Sequence, residues 1–503
     1  MPNPVMPLTP AEKQVVDRLN ATSNRDKVLA DLKANLQTAI EIELATIPIY
    51  LYTYYSIVRN ATSGEDVDPV QSFANMAGAA IMSVAVEEML HMSLSCNVLF
   101  SMGVAPQLYK KAPGQYPTPL PYHNKKGPKG PDGDTKVLIP LGKLGFMQLW
   151  HFLQIEYPEQ WDAPPQDRDW NTIGQFYSYI RCLMSTKFIA DADFQHGDAK
   201  KAIQPDYYSP NNVDTVYPPG KFDPWKPAPP GPMPAWTKKD PYPSGSNVAL
   251  FADSDDSHAG ASQLITVKSR QNAFEAITTI CDQGEGYPVR NVGPDDHDDF
   301  PGNTELSHYV KFLVLQAQFK DYVGTIEELP KQPPPPKPQT PTMSDAGLLA
   351  SGMVIDFPDN PTSAGYPTEY RPFADFCSAC FQYMLIMSET VYRVPPKEQK
   401  LFFNEGLHRS MIWILDKYAR TIRNIPLGNG KYMAPVFENI DLGPQRTSFL
   451  RLEVYGLEAI KRANEVAKSS PELAWVMGNI VYYAKLAFEG DKKLPNVARY
   501  WAD

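Results

Sequence analysis

The sequence has few cysteines, no long uncharged apolar run and no excess of basic residues. Five cysteines are scattered over 503 residues, a pattern that argues against a disulfide-stabilised scaffold and favours a reduced, cytoplasmic protein. No run of about 18 uncharged apolar residues is present, so we predict no transmembrane helix, and residues 1–13 lack the apolar segment of a signal peptide. Because 47 basic side chains stand against 57 acidic ones without a basic stripe, nucleic acid is not an expected partner.

What the sequence does contain is hydrophobic residues at helical spacing. They make up 43% of the chain, and aromatic residues 11%, which is enough to bury a large core. Apolar residues recur every three or four positions, and no alternation of the kind that predicts strands is present, so the predicted fold class is mainly α. The predicted helices span residues 26–58, 71–102, 144–157, 170–188, 261–283, 304–319, 373–394, 398–423, 447–468 and 473–488.

Clusters of proline divide the chain. Proline lacks an amide donor and clashes inside a helix, so these clusters predict loops or linkers. Two of them, at about 106–140 and 205–243, are predicted to be long insertions, and the third, KQPPPPKPQTPT, is predicted to be a linker. The predicted organisation is an N-terminal extension (1–24), a metal-binding helical domain (25–328), a proline-rich linker (329–345) and a C-terminal helical region (346–503).

Acids and histidines stand at helix positions where apolar residues are expected. Glu43 lies on the apolar face of the first long helix, whereas Glu41 points elsewhere. Glu88 and His91 are three residues apart and therefore share a face of the second long helix. Because a buried, unpaired carboxylate is costly, such residues should be hydrogen-bonded, paired with a charge or bound to a metal.

The same pattern continues further along the chain. Glu156 ends a predicted helix, Glu285 closes another in CDQGEGYP, and Glu305-x-x-His308 follows in NTELSHYVKF. Two-metal bundles take one glutamate from each of two helices and a Glu-x-x-His pair from each of the other two. The sequence therefore predicts a two-metal site with Glu285 and Glu305 as alternatives for one ligand. Iron is the predicted metal, with manganese or zinc as alternatives.

The number of Glu-x-x-His pairs exceeds chance. Among eight histidines, about half a pair is expected by accident, and the sequence contains three. The third, Glu405-x-x-His408, has no matching pair nearby and contains a glycine, so we interpret it as a surface or packing pair. We interpret Cys377 and Cys380 as packing residues. The remaining histidines are interpreted as ordinary residues of loops or without partners: His123, His151, His196, His258 and His297.

Tyrosines follow Glu43 on the same helix. Tyr50 and Tyr54 are candidates to donate a hydrogen bond or an electron in catalysis, although tyrosines in such a helix more often serve packing.

Several segments together resemble a known family. LQTAIEIELATIPIYLYTYYSI, AVEEMLHMSLSCNVLFSMGVAP, FLQIEYPE and the pair QGEG and ELSHYVKF are similar to the ferritin-like domain of iminophenyl-pyruvate dimer synthases, which act in violacein and rebeccamycin biosynthesis. The resemblance covers about residues 26–320. It implies a ferritin-like antiparallel four-helix bundle with metal ligands at Glu43, Glu88 and His91, and functional positions at Glu156, Glu285, Glu305 and His308.

Three functions are consistent with these residues. The leading expectation is a non-haem di-iron oxidoreductase or oxygenase that uses O2, a small organic substrate and an electron donor in secondary metabolism. The resemblance implies an alternative, the oxidative coupling of imines derived from amino acids. A non-catalytic metal-binding or iron-storage bundle is the third, although the additional helices and proline-rich loops would obstruct packing into a closed shell.

Overall fold

The computed structural model describes residues 7–59, 68–123, 138–159, 162–195, 204, 264–284, 307–321, 342–491 and 493–502. The described part is predominantly helical, which confirms the predicted fold class. Its α-helices are α1 (Pro10–Thr22), α2 (Arg25–Ser56), α3 (Pro69–Ser101), α4 (Phe146–Ile155), α5 (Ile173–Ser185), α6 (Arg270–Gln283), α7 (His308–Gln316), α8 (Asp345–Ala350), α9 (Arg371–Val391), α10 (Pro396–Phe402), α11 (Asp416–Ile422), α12 (Ser448–Ser469) and α13 (Ala474–Phe488).

Shorter elements connect the α-helices. Two π-helical segments, Phe403–His408 and Ser410–Leu415, connect α10 to α11. A two-stranded antiparallel hairpin joins β1 (Pro426–Gly428) to β2 (Lys431–Tyr432). Its turn residues, Asn429 and Gly430, both have positive φ, which is the backbone twist that a tight hairpin requires. Short 3-10 helices span Asp191–Phe194, Ser363–Gly365, Gln445–Thr447, Pro471–Leu473 and Val497–Tyr500.

Helices α2 and α3 form a long antiparallel pair at the centre of the bundle. Thr46 in the middle of α2 donates a hydrogen bond of 2.5 Å to Glu88 of α3. Near the connection between the two helices, Arg59 lies over Gly78. A Cβ atom at Gly78 would come within 2.4 Å of the Arg59 side chain, so a larger residue at this position would force Arg59 to move.

Four shorter helices supply the other half of the bundle. Helix α4 packs against α7, and α5 packs against α6 and α2, while α6 and α7 both contact α3. The chain leaves helical structure after Ile155 and again after Gln283. The interruptions matter because two candidate ligands, Glu156 and His308, stand at helix ends beside them.

The predicted N-terminal extension contains a helix that the sequence analysis did not identify. Thr9 caps α1 through a reciprocal pair of hydrogen bonds with Glu12, and Pro10 occupies the first turn, where its missing amide costs nothing. Glu12 is buried and lies 3.3 Å from Arg181 of α5. This ion pair and the packing of α1 on α5 attach the extension to the bundle.

The C-terminal helices share one hydrophobic core with the bundle. Buried apolar residues form a continuous cluster from Val15 on α1 to Val497 near the C-terminus. At the boundary, Arg423 donates hydrogen bonds to the carbonyls of Tyr55 and Ile57 at 2.9 and 3.0 Å. The C-terminal region is therefore packed onto the end of α2 rather than held away from it.

One helix among the described residues, α3, is long and apolar enough to cross a membrane by composition alone. Within its most apolar 18-residue window, 72% of the residues are buried inside the protein. This is the burial expected of a core helix.

Candidate metal centre

Four helices bring five of the predicted ligands into one buried group, named here the Glu/His cluster. Its members lie on α2, on α3, at the end of α4 and at the first residue of α7, and each is at most 3% exposed. Acids and histidines so deeply buried need partners or a bound cation. The members of the Glu/His cluster are Glu43, Glu88, His91, Glu156 and His308.

The cluster contains two overlapping sets of donor atoms. Glu43, Glu88 and His91 each offer one ligand atom, and these atoms lie within 4.8 Å of one another. Glu88, Glu156 and His308 satisfy the same condition. Because Glu88 belongs to both sets, the geometry offers two neighbouring cation positions joined by one carboxylate.

The chemistry of the donors fits a metal ion. The Nδ1 atom of His308 is buried and makes no well-aligned hydrogen bond to any residue that the structure describes. It lies 3.0 Å from Glu88 Oε1 and 3.4 Å from Glu156 Oε2. An imidazole nitrogen and carboxylate oxygens that converge in this way are positioned to bind a metal.

Each histidine ring is oriented by a second side chain. His308 Nε2 donates to Glu87 Oε2 at 2.6 Å, and Lys311 pairs with the same carboxylate at 2.9 and 3.0 Å. His91 Nε2 lies 3.1 Å from the amide oxygen of Gln283. Because Nε2 of each ring is the donor, Nδ1 is left to face the carboxylates. Hydrogen-bond partners commonly orient metal-bound histidines in this way.

Two buried phenols complete the surroundings of the carboxylates. Tyr177 donates to Glu43 Oε1 at 2.5 Å, and Tyr50 donates to Glu156 Oε1. Burial and the nearby carboxylates raise the pKa of both tyrosines well above the usual value. Both phenols therefore remain protonated and act as hydrogen-bond donors to the cluster.

Burial and the charges of neighbouring residues shift the pKa values of the cluster in opposite directions. Burial and the Glu88 charge raise the pKa of Glu43 well above its usual value, and burial raises the pKa of Glu156. Burial also opposes ionisation of Glu88, but His308 outweighs it and lowers the Glu88 pKa to about 2. Burial lowers the pKa of His91 to about 4. Burial alone would lower the pKa of His308 too, but the Glu156 charge and the hydrogen bonds to Glu156, Glu87 and Glu88 together raise it. Protons thus offset part of the negative charge, a role that a cation would take over.

Not all of the predicted ligands fall within the residues that the structure describes. Glu285 and Glu305, the alternatives for one ligand position, lie outside the described residues. Gly284, directly before Glu285, accepts a hydrogen bond from the His308 amide at 2.9 Å. A Cβ atom on Gly284 would lie 3.9 Å from Glu156 Oε2, so the chain passes close to the cluster at this point.

The remaining candidate residues differ in whether they contact the Glu/His cluster. Tyr50 touches the cluster, as described above, whereas the Tyr54 hydroxyl accepts a hydrogen bond of 2.5 Å from Arg420 in the C-terminal region. The Glu405-x-x-His408 motif lies on a π-helical segment. All five cysteines are buried and free of disulfides.

Four residues of the site were missed by sequence reasoning. Glu87 directly precedes Glu88, and Lys311 follows His308 by three residues. Their positions beside proposed ligands could have identified them from the sequence. Gln283 and Tyr177 gave none, because their role depends on which helices become neighbours.

The fold and the site together define a helical bundle whose acids and histidines are positioned to bind metal. The family model described as ferritin-like matches residues 36–221 and 246–317, about half of the chain. The chain therefore belongs to the ferritin-like family.

Similarity to individual proteins is weaker. The crystal structure of a ferritin-like protein from Caulobacter vibrioides is similar at 19% identity, with a TM-score of 0.40, over 80% of this chain and 98% of that one. No curated protein matches the chain.

Proposed function

We propose that the protein is a non-haem di-iron oxidoreductase that uses O2 to oxidise a small organic molecule. The observation that carries the proposal is the pair of donor sets that share Glu88. One iron would be held by Glu43, Glu88 and His91, and the second by Glu88, Glu156 and His308. Carboxylate and imidazole donors suit iron, and two adjacent ferrous ions, when bound there, would supply electrons to O2.

The protein's own residues would control protons and water around these ions. Tyr50 and Tyr177 hold hydroxyl protons against carboxylates of the two sets. Glu87 fixes the His308 ring, with its charge balanced by Lys311. The near-complete burial of the cluster excludes bulk water, which strengthens each of these electrostatic contacts.

Iron loading distinguishes this proposal from iron storage. The purified protein is loaded with ferrous iron under argon, exposed to O2, and passed through repeated cycles of chemical reduction and oxidation. We expect iron to saturate at about two ions per chain, as in di-iron bundles, and the same ions to be oxidised in every cycle. Accumulation of ferric iron far beyond that number would support storage instead.

The resemblance to iminophenyl-pyruvate dimer synthases supports imine coupling as a second candidate reaction. Insertion of one oxygen atom sends the other to water and takes two electrons and two protons from a donor. Coupling of two imines instead releases two electrons and two protons, which reduce O2 to hydrogen peroxide. Reaction of the iron-loaded protein with phenylpyruvate imine under ¹⁸O2 separates them, because only oxygenation leaves label in the product.

The Glu87→Gln variant tests the role of the outer carboxylate. Glutamine keeps the size of the side chain but removes the charge that orients His308 and pairs with Lys311. Loss of such an outer partner weakens metal binding by about 10- to 100-fold, and we expect the second iron position to account for the loss in an anaerobic calorimetric titration. Glu41→Gln, on a partly exposed carboxylate 3.4 Å from Lys111, is the matched control. Equal isotherms for the two variants would contradict the assignment.

A further inference from the structure

Helix α12 has apolar residues on two opposite faces. Its inner face packs against α9 and α13. The buried residues of that face are mostly small: Leu452, Gly456, Ala459 and Ala463. The outer face carries Leu450, Val454 and Leu457, whose exposed fractions are 59%, 55% and 48%. A surface helix normally has one apolar stripe, which faces its own core, so the core does not account for the outer residues.

The three outer residues form one continuous stripe. Val454 follows Leu450 by four positions, and Leu457 follows Val454 by three. Residues three or four apart are neighbours on a helix surface, so the stripe is about 10 Å long. Lys461, at the next position of the same face, ends it with a charge. Single exposed apolar residues are ordinary, whereas a contiguous apolar stripe with polar residues beside it is typical of a surface that binds another protein.

Two opposite charges lie beside the stripe. Arg451 and Glu458 are seven positions apart, about two turns, so they lie on the same side of it. Arg451 is exposed and makes no ion pair with any residue in the described part of the chain. Glu458 is 48% exposed, and its contact with Lys461 is long, at 3.9 Å. Both charges are therefore available to a partner.

The arrangement of these charges is complementary to itself. If two copies of α12 pack antiparallel about a two-fold axis near Val454, the same side of each helix meets in reverse order. Arg451 lies three residues before Val454 and Glu458 lies four residues after it. Each Arg451 therefore faces Glu458 of the partner subunit, and two ion pairs form on either side of the axis. Charges that flank an apolar seam in this way select the partner and the orientation of paired helices.

We propose that α12 is a dimerisation helix, through which two copies of this chain associate antiparallel along the stripe. The apolar side chains Leu450, Val454 and Leu457 would fill the contact, and the Arg451 and Glu458 pairs would fix its orientation. Three apolar side chains and two ion pairs make a contact smaller than the roughly 800 Å² per partner of a stable interface. The dimer is therefore expected to be weak, and its population to rise with protein concentration. This association goes beyond the proposed function and does not depend on it.

Analytical ultracentrifugation of the full-length protein over a range of concentrations tests the stripe. We expect the average mass to rise towards that of a dimer. Leu457→Glu should raise the dissociation constant about tenfold or more, because it places an unpaired charge in the contact. Leu401→Glu is the control, since Leu401 is as exposed as Leu450 but lies on α10, and it should dimerise like the wild type.

Two results would overturn the proposed dimer. One is a wild-type protein that stays monomeric at every concentration, which would leave the stripe to a different partner. The other is a Leu457→Glu variant with the dissociation constant of the wild type. Equal losses in Leu457→Glu and Leu401→Glu would also count against it, because the effect would then not be specific to α12.

Reversal of the two charges tests the antiparallel orientation without changing the apolar stripe. Arg451→Glu places two acids opposite each other at both pairs, and Glu458→Arg places two bases there. Each variant alone should dimerise about fivefold more weakly at low salt, or less well still. An equimolar mixture of the two variants should recover the wild-type affinity, because one chain then supplies both acids and the other both bases. A mixture that associates no better than its components would overturn the proposed arrangement.

Discussion

Replacement of Glu88 by alanine is expected to reduce iron from about two ions per chain to near zero. Glu88 is the one residue common to both donor sets, so its removal leaves two ligand groups at each position and breaks the carboxylate bridge between them. Glu43→Ala affects only one set and should retain about one ion. Elemental analysis of the purified proteins after ferrous loading measures both results.

The control for the Glu88 experiment is Glu41→Ala. Glu41 lies on the same helix as Glu43, but its side chain is partly exposed and pairs with Lys111 at 3.4 Å. It should retain full iron content, and circular dichroism should show equal helicity in all variants. If Glu88→Ala still carried about two ions per chain, the iron would have to bind elsewhere and the assignment of the centre would be wrong.

Replacement of Arg420 by alanine is expected to lower the free energy of unfolding by about 3 kcal/mol, the lower end of the effect of breaking a buried ion pair. Arg420 is 3% exposed, contacts both oxygens of buried Asp416 at 3.0 and 3.1 Å, and donates to Tyr54 of α2 at 2.5 Å. Its loss leaves Asp416 with Lys417 at 3.3 Å and removes a contact that holds the C-terminal region on the bundle. Urea unfolding followed by circular dichroism measures the change.

Arg462→Ala provides the comparison for Arg420. Arg462 pairs with Glu465 at 2.7 Å on the surface of α12, and both side chains are partly exposed. Exposed pairs of this kind contribute at most about 1 kcal/mol. A similar loss of stability in both variants would show that the buried contact of Arg420 with α2 does not hold the two regions together.

Most of the helix positions could be predicted from the sequence, because local patterns of residues determine them. The recurrence of apolar residues every three or four positions predicted α2 and α3 to within about two residues, because long helical segments give the clearest pattern. Helix α1 was missed although Thr9 and Glu12 form a capping box, because the helix is short and mostly polar, and its buried residues are Glu12, Val15 and Val16. The hairpin turn at Asn429 and Gly430 was missed because its strands are too short to show alternation.

The candidate site, too, could be predicted only in part from the sequence. Glu43, Glu88, His91, Glu156 and His308 could be selected from sequence because acids and histidines at apolar positions of a helix need a reason to be buried. Their separation into two sets, and the membership of Glu88 in both, required coordinates, because sequence spacing fixes only which residues share a helix face.

The sequence by itself determined the helices, the mainly α class and the identity of the acids and histidines that converge. Tertiary structure decided which of them converge in each donor set, that Glu87 and Gln283 orient the histidines, and that the C-terminal region packs onto the end of α2. The physical reason is that helix formation and amphipathicity depend on neighbours within a few residues. The direction in which a buried side chain meets its partners depends instead on how helices far apart in sequence pack.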